Sequence, residues 1–129
     1  MSYPLTDSDR SVVSLLSADG RYDYFVEKVI AGGEVWSLQS DDGWVVMISP
    51  EDEECLPVWP HEAFAHEWAT GEWADCRPAA ISLDTWLTRW TPGMEKDGTL
   101  LVVFPDSDEQ GTVVAPAELR DAINGKRKR

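Results

Sequence analysis

Along this chain the apolar positions switch repeatedly between the spacing of a helix and that of a strand, and the switches fall at proline, glycine and aspartate. Asp7 or Ser8 is placed to cap a short first helix whose apolar side is Val12, Val13, Leu15 and Leu16. Ser17 ends it and caps a second, in which Tyr22, Phe25, Val26 and Val29 form one stripe before Gly32 and Gly33 stop it. Glu34 to Gln39 then reads as a strand, Asp41-Asp42-Gly43 as a hairpin turn, and Trp44 to Ile48 as the returning strand.

The stretch from Cys55 to Trp90 holds five of the seven tryptophans and organises the rest. Leu56, Val58 and Trp59 form a short strand halted by Pro60, since proline has no N–H for a ladder. His61 to Trp73 is expected to be a helix with Phe64 and Trp68 on one face, fraying at Gly71. Pro78 to Ile81 is extended, and Ser82 caps a helix in which Leu83, Trp86, Leu87 and Trp90 follow the i, i+3, i+4, i+7 pattern. Thr91-Pro92-Gly93 is expected to bend or close it. Thr99 to Phe104 is a continuous β-rich run and reads as a central strand buried on both faces, with Thr112 to Val114 pairing beside it. Pro116 opens a last helix carrying Leu119 and Ile123. This order predicts an α+β fold in a single domain over residues 1–125: a small mixed or antiparallel sheet with a hairpin, covered by four to five helices, with the basic residues 126–129 as a disordered tail.

Composition narrows what such a domain does. Its 129 residues suffice for one core. The N-terminus lacks the basic and apolar regions of a signal peptide and no apolar run is long enough to span a bilayer, which predicts a cytoplasmic protein without membrane attachment. Net charge is −13, and −17 when the basic residues 126–129 are set aside, so nucleic acid and anionic membrane are repelled while a basic protein is attracted.

No catalytic constellation emerges. Cys55, His61, His66 and Cys76 are the right number for zinc, but the histidines lie about 140° apart around a helix and neither cysteine belongs to a C-x-x-C pair, so no metal or other cofactor is expected. No family signature surrounds either cysteine as a nucleophile, and Gly32-Gly33 follows a helix and lacks the lysine of a phosphate loop.

The strings RYDYFVEKV (Arg21 to Val29), EVW (Glu34 to Trp36), LPVWPH (Leu56 to His61), GEWADC (Gly71 to Cys76), the I-x-L of Ile81 to Leu83, and VFP (Val103 to Pro105) followed by VVAPAEL (Val113 to Leu119) resemble, in order, the bacterial family catalogued as domain of unknown function 2750. LPVW and the late strand leading to a proline-started helix are also similar, more faintly, to the N-terminal domain of the enhanced-serine-sensitivity protein family. The resemblance implies an α+β fold and a bacterial source, and carries over no catalytic residue.

Non-enzymatic recognition is therefore the expected function: an immunity protein or antitoxin binding a basic protein such as a toxin domain. The residues expected to carry it are the carboxylates Asp41, Asp42, Glu51, Asp52, Glu53, Glu54, Asp106, Asp108 and Glu109, with Trp44 or Trp59 as an aromatic anchor. A cytoplasmic regulatory or scaffold domain is the alternative, and a small enzyme with a site assembled across loops ranks third.

Overall fold

The computed structural model describes residues 6–41, 43–48, 51–70, 73–105 and 111–127. Its first element, α1 (Asp7–Ser14), is capped by Thr6 rather than Asp7 or Ser8. The Thr6 hydroxyl accepts from the Asp9 amide at 3.1 Å and the Asp9 carboxylate accepts from the Thr6 amide at 3.3 Å, a reciprocal box that neither expected cap completes. Only Val13 of its apolar residues is deeply buried, because neighbours along a helix point about 100° apart and Val12 and Leu15 face outward. Ser17 caps α2 (Ala18–Gly32) as expected, and Gly33 closes it in the left-handed conformation at φ 71°. Phe25, Val26 and Val29 of its stripe are fully buried.

Strand β1 (Glu34–Ser40) is followed by a turn at Asp41 and pairs with β2 (Gly43–Trp44), with Gln39 opposite Trp44 and Ser40 opposite Gly43. The expected return strand to Ile48 is split. Val45 still donates to the Leu38 carbonyl at 3.0 Å, but beyond that point the edge of β1 is taken by Trp59. The chain therefore leaves the first sheet, and Met47–Ile48 becomes β3 on the far side of β4 (Glu54–Val58). On its other edge β1 pairs antiparallel with β5 (Arg77–Ser82) over six residues, from Glu34↔Ser82 to Gln39↔Arg77.

The second sheet runs β3-β4-β6-β7, where β6 (Leu100–Val103) lies parallel to β4 and β7 (Thr112–Val114) antiparallel to β6. Central, buried β6 is as the apolar run predicted. Trp36 and Trp59 join the sheets through one antiparallel pair. Pro57 keeps that junction short: it has no N–H to continue the ladder, and its carbonyl accepts instead from the buried Ser37 hydroxyl at 2.6 Å.

Helix α3 (Glu62–Trp68) starts at a His61 cap, whose Nδ1 accepts from the Ala63 amide at 3.1 Å, and ends well short of Trp73. Ala69 leaves helical geometry, and Trp73 returns from the following turn to stack on Trp68 at 5.7 Å. Ser82 caps α4 (Leu83–Thr85), which continues through a π turn (Trp86–Trp90) into α5 (Thr91–Asp97). Thr91-Pro92-Gly93 thus does not close the helix. In a regular α-helix the Pro92 ring would press on the Thr88 carbonyl; the wider turn just before it removes that clash. The Trp86 carbonyl then receives both the amide and, at 3.0 Å, the hydroxyl of Thr91.

The last helix, α6 (Pro116–Arg127), buries Leu119 and Ile123 and extends past residue 125. Lys126 and Arg127 therefore belong to it rather than to a tail, and Lys126 pairs with Glu27 of α2 at 3.4 Å. One cluster of buried side chains runs from Val13 to Ile123 through both sheets, giving the α+β architecture expected from the sequence.

Candidate functional site

The parallel pair β4 and β6 gives the second sheet two unlike ends. At its C-terminal end the Trp59 indole nitrogen donates to the Pro105 carbonyl at 3.1 Å, and Arg21 Nε donates to the Phe104 carbonyl at 3.2 Å. Phe104 sits there at φ 52°, a conformation bulky residues avoid, held by its own amide bond to the Val58 carbonyl at 2.7 Å and by its ring against Phe64 at 4.8 Å. Packing fills this end.

The N-terminal end carries the acidic turn. Glu51, Asp52, Glu53 and Glu54 are all exposed, as expected; Glu54 is also the first residue of β4, paired with Ile48. Asp52 adopts φ 64°, a left-handed turn position that aspartate tolerates better than most residues. Ile48 of the outer strand β3 is 60% exposed and Val46, just before that strand, 41%, so exposed apolar side chains stand beside the carboxylates. The periodicity hid these two residues, because it assigned both to a hairpin strand within one sheet.

Gly43 to Ile48 thus crosses from one sheet to the other with carboxylates at each end. At the Asp41 end, Asp41 is exposed and only loosely paired with Arg77 at 3.8 Å. Trp44 is half-buried, edge to face against Trp90 at 4.8 Å and 89°, and Trp90 stacks on Trp86 at 5.7 Å. The helical spacing marks Trp90 first as a packing residue and second as a surface on which a ligand could stack.

Trp59 is not available as a partner anchor. It is fully buried, packed on Trp68 at 5.3 Å and bonded to Pro105. Asp42, Asp106, Asp108 and Glu109 lie outside the described residues.

The thiols are poorly suited to nucleophilic work. Cys55 is buried and donates to the Glu53 carbonyl at 3.7 Å. Burial first, then the negative charges of Glu53 and Glu51, push its pKa above the ordinary thiol value. Cys76 is shifted the same way by burial and Asp75, with Arg77 opposing. The extended chain alone puts about 13 Å between Cys55 and Trp59. Cys55 lies at the N-terminal end of β4, whereas His61 caps α3 beyond its C-terminal end. Among the described residues no group of three or more His, Cys, Asp or Glu side chains is arranged to hold a metal ion, and no helix is long and apolar enough to cross a membrane.

Comparison with known proteins adds the family. No curated protein and no solved structure matches the chain. Residues 22–123 match the family described as "Protein of unknown function (DUF2750)", which covers most of α2 through most of α6 and leaves α1 outside, and the chain belongs to that family.

Proposed function

We propose that this protein is a non-enzymatic binding module that recognises a basic protein, acting as an immunity protein or antitoxin that masks a toxin. The observation that carries the reading is the outer edge of the second sheet, where exposed Ile48 lies directly opposite exposed Glu54 at the foot of a four-carboxylate turn. An apolar contact rimmed by like charges is the composition of a protein interface, and a surface this anionic steers basic partners toward it. Burial and neighbouring carboxylates disfavour the thiolate at both cysteines, which supports a reading without thiol chemistry.

The test is affinity capture from the source bacterium at low and high salt, followed by co-expression of each captured basic protein with and without this chain. The reading predicts a salt-sensitive complex and rescue of growth from a toxic partner. Recovery of only neutral or acidic proteins, or a captured basic protein whose effect on growth is unchanged by co-expression, contradicts it.

A further inference from the structure

The geometry points to a receiving site for one cationic side chain, an arginine of the protein partner, in the right-angled corner between Trp44 and Trp90. This rests on the proposed recognition of a basic protein and assigns that partner's anchor.

The two indoles meet at 89° with centroids 4.8 Å apart, and both are half-buried, so each keeps part of its surface at the exterior. Trp90 has one face against Trp86 at 5.7 Å and 18°. Whichever of the perpendicular rings presents its edge, the two ring faces meet in a corner on the side away from Trp86. A planar guanidinium in such a corner stacks on one face and lies within reach of the other, and indole faces attract cations more strongly than phenyl or phenol faces do.

The surroundings favour a cation there. Trp44 stands in the hairpin opposite Gln39, three residues beyond exposed Asp41. The Asp41–Arg77 pair is long and its side chains are largely exposed, so it yields readily to an incoming charge. The corner is also rigidly made. Trp90 projects from the π turn fixed by the Thr91–Trp86 bonds, and Trp44 is held in register by β1. A preformed site loses little side-chain freedom on binding.

The experiment follows the indole N–H signals of the nitrogen-labelled full-length chain while N-acetyl-arginine methylamide is added. Sodium chloride at matched ionic strength and N-acetyl-citrulline methylamide, the neutral analogue, serve as controls. Saturable movement of the Trp44 and Trp90 signals with arginine alone, while buried Trp59 and Trp86 stay in place, is the expected result. Trp44→Ala weakens it roughly 2- to 30-fold, and Trp44→Phe, which keeps a ring, weakens it less. Amide spectra of both variants establish that they are folded. Shifts that follow salt or citrulline equally, or that survive Trp44→Ala, overturn the site. A captured basic partner indifferent to Trp44→Ala, with no probe binding, overturns this inference and leaves the proposed function intact. Probe binding without any basic partner supports the corner and removes the proposed function.

Discussion

Trp36 and Trp59 hold each other by two main-chain hydrogen bonds, at 2.9 and 2.8 Å, and this pair bridges the two sheets of the protein. The ladder does not continue because Pro57 has no N–H, so Ser37 supplies the next link by its side chain. Ser37→Ala leaves the Pro57 carbonyl without that hydroxyl donor in a buried place and is expected to cost about 1–3 kcal/mol. Urea unfolding should show a lower midpoint at unchanged slope; an unchanged midpoint contradicts this account of the junction.

Two buried indoles differ in one bond. The Trp59 nitrogen donates to Pro105, whereas the buried Trp86 nitrogen finds no acceptor among the described residues. Trp59→Phe therefore orphans a carbonyl, while Trp86→Phe removes an unpaired donor. The first substitution should cost more than the second by about 1–2 kcal/mol in paired denaturation curves, and equal costs would show that the bond contributes nothing.

Gly111 and Gly125 should respond to alanine with opposite signs. A Cβ at Gly111 would lie 2.8 Å from Val102 Cγ2 and 3.0 Å from the Val103 carbonyl oxygen, whereas at Gly125, inside α6, it meets nothing within 4 Å. Gly111→Ala is expected to destabilise by about 1–3 kcal/mol and Gly125→Ala to stabilise by about 0.5–1 kcal/mol. Thermal melts of the two variants check both signs.

Cys55 sets a pH dependence on the alkaline side. Its pKa is raised in the folded state, so the folded chain prefers the protonated thiol. That contribution is fully present below the ordinary thiol value and is lost as pH rises through the raised one. Stability measured from neutral to alkaline pH should therefore fall, and fall less in Cys55→Ala. In the native protein at neutral pH, a thiol reagent should label half-buried Cys76 well before Cys55. A flat difference between wild type and Cys55→Ala, or faster labelling of Cys55, would contradict the assignment.

Much of this fold was legible because the local signals agreed with one another. Ser17 and Ser82 cap the helices their positions announced, Gly33 stops α2, and the Thr99–Phe104 run became the central strand. What the sequence concealed depended on competition between distant segments. Trp44 to Ile48 looks like one strand, yet Trp59 occupies the edge of β1 it would have followed. Pro92-Gly93 looks like a stop, but the chain meets it with a π turn, visible only once Trp86 and Trp90 have places to pack. The candidate surface was half legible for the same reason: runs of carboxylates stand out in a sequence, whereas the outward turn of Ile48 and the meeting of Trp44 with Trp90 exist only after the chain has changed sheets.

The association rate of a captured basic partner, measured with the wild-type chain and with a variant carrying Glu51→Gln, Asp52→Asn, Glu53→Gln and Glu54→Gln, tests the role of the acidic edge most directly. The asparagine keeps a residue that tolerates the left-handed turn, so charge changes and conformation does not. The predicted result is a wild-type rate that falls about 10-fold or more from low to high salt, and a variant rate that is slower at low salt and nearly independent of it. Identical rates and salt dependence for the two proteins would contradict it.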